Sequence, residues 1–262
     1  MLRNSLNKRS EALGQEINAV PMKNRRWYFG VALPIWVFIG FYMAAFITQE
    51  LFVFLHWLNW PVAYIHSSLL TTVAAAIVYL LSIGIIIGVP WWLWKDQTTR
   101  DDLGLGRLLS WSDMGLAPAG FVIYLLASGG IAYLVEQIFP NFNIAQTQSV
   151  GFNDITQSYE YFLAFITLVL VAPFAEEILF RGYLYGKLKQ NIPAWLAMIV
   201  TSALFGFIHG QWNVGIDVFA LSLVACSLRE VTGSIWAGIL LHMMKNGLAF
   251  YILFINTSFL IK

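Results

Sequence analysis

Seven stretches of mostly apolar residues recur along this 262-residue chain, at roughly 27–48, 69–94, 117–139, 159–188, 193–210, 213–229 and 233–257. Each is close to the ~20 residues a helix needs to cross a hydrocarbon core, and nothing else in the sequence limits the fold as severely. In lipid every backbone N–H and C=O must be satisfied within its own element, which leaves helices or a closed barrel, and runs this long are helical. The expectation is an all-α polytopic membrane protein, a bundle of about seven transmembrane helices enclosing an intramembrane cavity. The segment 49–66 is apolar and aromatic but broken by Pro61. It reads as interfacial or re-entrant, and would make eight spans if it crossed.

Composition agrees. Hydrophobic residues make up 59% of the chain and charged residues 11%, where a soluble domain carries about 25% charged. Aromatic clusters such as WWLW (91–94) and LHWLNW (55–60) suit interfacial belts. A formal net charge of +1 carries no polyanion signal, so nucleic acid is not an expected partner. The single cysteine, Cys226, excludes an intramolecular disulfide and a Cys-based metal cluster; it reads as a small core residue.

Residues 1–26 are polar and basic, and no short apolar region with a cleavage site follows them, so a removable signal peptide is not expected. With this segment in the cytoplasm and seven spans threaded, the cytoplasmic side holds 13 of the 15 Lys and Arg residues, counting Arg181, while loops 49–68 and 140–158 hold none. The positive-inside rule then predicts a multi-pass cell-membrane protein with a cytoplasmic N-terminus. Three regions follow: 1–26, a polar N-terminal segment; 27–158, three spans and the interfacial segment; and 159–257, four spans.

Ionisable residues at membrane depth cost about 2.5–3.5 kcal/mol on insertion scales and mark function by default. Few are present. The fourth stretch holds Glu176, Glu177 and Arg181; the fifth ends in SALFGFIHG with His209; the seventh contains LLHMMKNGLAF with His242, Lys245 and Asn246. Glu177 and Arg181 are four apart with the acid first, the favourable order for an intrahelical ion pair, which leaves Glu176 without a partner on its own helix. Phe205 and His209 share the spacing, so a ring packs below the imidazole, and His242 and Asn246 share a face. Singly, each residue has a structural explanation: supporting ion pair, packed histidine, interhelical amide. Asp217 and Glu136 read as near-interface residues, His56 and His66 as structural, and Lys245 as pointing away from His242 and Asn246.

Together, Glu176-Glu177-x-x-x-Arg181, Phe205-x-x-x-His209 and His242-x-x-x-Asn246 resemble the three motifs of the CPBP family, the CAAX proteases and bacteriocin-processing proteins, which include the type II CAAX prenyl endopeptidases. The resemblance covers about 159–250, with a fainter echo in LGLGRLLSWSDMGL at 103–116. It implies an intramembrane endopeptidase of the glutamate type. Glu176 would be the base that activates water, helped by His209; His242 and Asn246 would hold the oxyanion; Glu177, Arg181 and Phe205 would support the site. It also implies a peptide or protein substrate, with membrane-bound and prenylated ones both in the family's range. No cofactor is expected. Three alternatives stay open: a metal site, zinc for example, on Glu176, His209 and His242; a non-catalytic immunity or scaffold protein of the same fold; and a transporter or proton relay, which the lack of an inverted repeat disfavours.

Overall fold

The computed structural model describes residues 22–60, 65–144, 146, 150–152 and 155–256, and every regular element within them is helical. Seven rods result: α1 (Met22–Trp57), α2 (Ser67–Leu93), α3 (Trp111–Ile138), α4 (Ser158–Leu188), α5 (Ala194–Phe207), α6 (Trp212–Thr232) and α7 (Trp236–Ile255). Five of them, α1 to α4 and α7, have the length and apolar composition to cross a membrane. The all-α polytopic bundle is the observed fold. Residues 1–21 and Pro61, on which two of the readings above fall, lie outside the described residues.

Two expectations are corrected. Residues 49–57 are not a separate interfacial piece but the continuation of α1, which runs unbroken for 36 residues. No breaker interrupts them until Asn59 turns left-handed at φ 56°. The fifth stretch, 193–210, is not a full span either. Its helix has 14 residues, about 21 Å at 1.5 Å per residue, short of a ~30 Å hydrocarbon core. The chain turns back at Gly210, φ 69°, and α6 starts two residues later at Trp212.

The sorting of α1 residues follows its surroundings. Val31, Ile35, Ile39 and Phe46 are exposed along one stripe, while Leu33, Val37, Ala44 and Thr48 are buried on another, both at helical spacing. Gly40 lies on the buried stripe, where a Cβ would come within 2.5 Å of Ile86 Cγ1. Small residues of this kind let membrane helices approach closely. Gly206 and Gly215 do the same for the α5–α6 hairpin: a Cβ on Gly206 would lie 2.7 Å from the Gly215 carbonyl oxygen.

α4 occupies the centre. Half of its most apolar window is buried, against 11–22% for the other four spans. It departs from regular α geometry at two π-helical stretches, Ile166–Val171 and Ile178–Leu184, which flank Ala172–Glu177. α2 has one at Gly84–Gly88. In a bilayer a carbonyl left without its helical partner must be satisfied by a neighbour. Trp36 Nε1 donates to Ile86 O at 3.0 Å, and Asn246 Nδ2 donates to Leu168 O at 2.8 Å.

The 95–110 segment closes one end of the bundle. The Gly104 carbonyl accepts from Ile235 N and Ser234 Oγ, and Arg229 donates to the carbonyls of Asp102 and Gly233. Gly104 itself takes φ 73°. Ser110 and Asp113 form a capping box at the start of α3, and Arg107 clamps Asp113 through Nη1 and Nη2 at 2.5 and 2.7 Å.

Candidate active site

Glu176 and Glu177 are consecutive, so on a helix their side chains leave about 100° apart. Glu177 turns fully into the protein. Its Oε1 lies 2.9 Å from Arg181 Nη1, the ion pair anticipated from the i,i+4 spacing, and both side chains have no exposed surface. The Arg181 guanidinium also stacks 4.3 Å above the Phe205 ring centroid, a desolvated cation–π contact. Glu177 Oε2 rests against Gly238 of α7, where a Cβ would sit 2.9 Å away. Only glycine leaves room there for a carboxylate between the helices.

His242 joins the two acids. Its Nδ1 lies 3.1 Å from Glu177 Oε1 and its Nε2 3.7 Å from Glu176 Oε2. The adjacent glutamates thus meet through one imidazole of α7, a link their divergence on the helix concealed. His242 is 2% exposed and stands edge-on to Phe205 at 5.8 Å.

His209 sits in the turn just past the end of α5. Its Nδ1 lies 2.7 Å from Phe205 O. A carbonyl only accepts, so Nδ1 carries the proton and Nε2 is left with the lone pair. The Phe205 ring packs against the imidazole at 4.9 Å, edge to face, as the spacing implies. Phe205 therefore touches Arg181, His209 and His242 together.

The unpartnered acid finds its partner on α2. Tyr79 donates its hydroxyl to Glu176 Oε1 at 2.6 Å. Sequence reasoning missed this residue, and no signal marks it: a tyrosine in an apolar run of an aromatic-rich chain has no period or motif to single it out. The outcome is a cavity of about 200 Å³ lined by Tyr79, Glu176, His209, His242, Lys245 and Asn246, with Ala172 and Leu168 in its wall. All four residues assigned chemistry above reach it, whereas Glu177, Arg181 and Phe205 stand behind them. Asn246 spends one amide hydrogen on Leu168 O and keeps the second for the cavity it lines.

Lys245 does not point away, as expected from the sequence. It lines the same cavity, with Nζ 3.4 Å from Asp217 Oδ2. Asp217 is half-buried, and its Oδ1 accepts from Tyr124 Oη and Ser128 Oγ at 2.6 and 2.7 Å. His66 also has company that was not anticipated, its Nδ1 lying 2.6 Å from Glu160 Oε1 at the start of α4. Cys226 is buried, as anticipated, and Glu136 and His56 are exposed. Among the described residues no three His, Cys, Asp or Glu side chains converge in a way that could hold a metal ion.

The fold and site define a polytopic α-helical membrane protein with acids, imidazoles and an amide gathered in one internal cavity. Residues 158–248, α4 through most of α7, match the family described as type II CAAX prenyl endopeptidase Rce1-like. This is the family the three motifs resemble, and the match contains every motif residue. The chain is 29% identical over 147 residues to the putative membrane peptidase YdiL of Bacillus subtilis (strain 168), covering 56% of each chain. It is 32% identical over 91 residues to the YbdI protein of Lactococcus lactis subsp. lactis, covering 34% of this chain and 49% of that one. An uncharacterized 24.3 kDa protein of Escherichia coli is 30% identical over 86 residues, covering 31% of this chain and 40% of that one. The chain thus spans roughly half the length of these curated relatives. No solved structure matches it.

Proposed function

We propose that this chain is an intramembrane endopeptidase of the cell membrane, its N-terminus cytoplasmic, in which Glu176 activates water. The observation that carries this is the single cavity lined by Glu176, His209, His242 and Asn246, drawn from α4, the α5–α6 turn and α7. Glu176 takes a proton from the attacking water as its oxygen bonds to the scissile carbonyl carbon, and returns a proton to the amide nitrogen as the C–N bond breaks. Tyr79 holds Oε1, leaving Oε2 for the water. His209, with Nδ1 committed to Phe205 O, offers Nε2 to the same water. The second Asn246 amide hydrogen faces the developing oxyanion, where donors act strongly because water is scarce; His242 Nε2 lies beside it and donates there only as an imidazolium, because its Nδ1–H is already given to Glu177. Glu177, Arg181 and Phe205 hold His242 and His209 in place.

The kinship of residues 158–248 with a peptidase family, and the name of the Bacillus relative, support this reading. The substrate is a peptide or protein. A metal centre on Glu176, His209 and His242 is less well supported, because among the described residues these three side chains do not converge as a donor set.

The test is terminal-peptide mass spectrometry on membranes expressing wild type or Glu176→Gln at matched levels. New peptide ends with wild type alone are expected. Identical profiles from two folded proteins would make the cluster structural and the protein a scaffold.

A further inference from the structure

The catalytic cavity is small. Ligand pockets usually run to about 300–1,000 Å³, and about 200 Å³ holds a peptide bond and a water but not the residues beside it. A second cavity of about 410 Å³ adjoins it, and the two share Lys245, Ala249 and Leu253 in their walls. Its own lining comes from α3, α6, α7 and the 144–146 segment, including Tyr124, Ser128, Ala132, Asn213, Leu248 and Ile252. The surface is predominantly apolar, and one of its polar residues, Lys245, is shared with the catalytic cavity. Asp217, in the wall of the second cavity, is held by Tyr124 and Ser128 and faces Lys245.

Resting on the endopeptidase reading above, we propose that this second cavity is the subsite for the substrate side chain next to the scissile bond, that it takes a bulky neutral apolar residue, and that the Asp217–Lys245 pair sets that preference. Continuity with the catalytic cavity argues for a substrate segment as the occupant. Apolar walls favour an apolar side chain, and the volume admits a large one. The ion pair acts as a balanced divider. Lys245, at 3.4 Å, is loosely held and reaches both cavities, while the two hydroxyls fix Asp217. While both charges are present, a substrate carboxylate or ammonium meets one attractive and one repulsive neighbour and gains little. Selection of this kind works by penalising the wrong partner as much as by binding the right one. Removing one charge unbalances it in a direction fixed by the charge that remains.

The experiment reads the residues flanking new peptide ends in the membrane proteome of cells expressing wild type, Asp217→Asn, Lys245→Gln, the exchange Asp217→Lys/Lys245→Asp, or Ala132→Leu. Glu176→Gln supplies the background. Wild type is expected to show large apolar residues at one flanking position. Asp217→Asn should enrich Asp and Glu there, and Lys245→Gln should enrich Lys and Arg, each by about tenfold. The exchange should restore the neutral preference. Ala132→Leu narrows only the second cavity and should exclude Trp, Phe and Tyr while smaller residues are still cleaved. It remains informative if unpaired charges unfold the others, since it adds only apolar volume. An unchanged flanking profile in Ala132→Leu, with cleavage still dependent on Glu176, would overturn the subsite and mark the cavity as lipid-filled, leaving the endopeptidase reading intact. New ends absent even from wild type would instead sink that reading.

Discussion

Tyr79 and Glu176 are 97 residues apart in sequence, yet the hydroxyl of one donates to the carboxylate of the other at 2.6 Å. The donor comes from α2, outside the segment that matches the peptidase family. One N-terminal helix, α2, is therefore part of the cavity wall.

If Tyr79 orients the base, Tyr79→Phe should leave the fold intact and lower the yield of new peptide ends about 10- to 100-fold. Hydrogen bonds to charged groups contribute about 1.5–3 kcal/mol. Quantitative terminal-peptide spectrometry against wild type measures this. An undiminished yield would show the bond to be incidental.

Arg181→Met should be severely destabilising, by about 3–5 kcal/mol, because it strands Glu177 as a buried, unpaired charge. Arg181→Lys should recover only part of this, since an ammonium lacks the planar face that lies over Phe205. The double change Glu177→Leu/Arg181→Met should regain stability without regaining cleavage, because Glu177 also holds His242 Nδ1. Thermal melting in detergent separates the three. Cleavage by the double variant would deny Glu177 its positioning role.

Gly238→Ala drives a methyl into Glu177 Oε2, and Gly206→Ala drives one into the Gly215 carbonyl. Overpacking of this kind costs about 1–3 kcal/mol. The two should differ in kind: Gly238→Ala disturbs Glu177 and through it His242, whereas Gly206→Ala splays the hairpin that carries His209. Both should melt lower. Gly84→Ala, which meets open space, should not.

The 95–110 loop gives a pH dependence outside the membrane. The backbone N–H of Thr99, and then its hydroxyl, hold the Asp102 carboxyl below its ordinary value. A carboxylate with a depressed folded pKa stabilises its loop above the ordinary value, and that contribution is lost as pH falls through the folded one. Hydrogen exchange at Thr99 N–H should accelerate only in that acid range, and Asp102→Asn should reproduce the loss at neutral pH. Exchange that is indifferent to both would remove Asp102 from the loop's support.

A glutamate-activated water needs no metal. Cleavage by purified protein should survive exhaustive chelation, with bound metal checked by elemental analysis. Loss of activity that zinc restores would move the assignment to a metal centre on Glu176, His209 and His242.

The bundle, and four of the polar residues in its central cavity, Glu176, His209, His242 and Asn246, follow from the sequence by itself. Charge-free runs of about 20 residues have only one solution in lipid. A carboxylate or imidazole within such a run carries a desolvation penalty that can be read from its position alone. The Glu177–Arg181 pair and the Phe205–His209 contact follow too, because helical period sets neighbours within one element. What the period does not encode is which face of one helix meets which face of another. That decided the Tyr79 bond, the bridging of both glutamates by His242, the turn of Lys245 into the cavity toward Asp217, and the contact of His66 with Glu160. It also decided where α5 stops. An apolar run reports how long a helix could be, but the close approach of Gly206 to Gly215 and the left-handed Gly210 turn the chain early, just after His209.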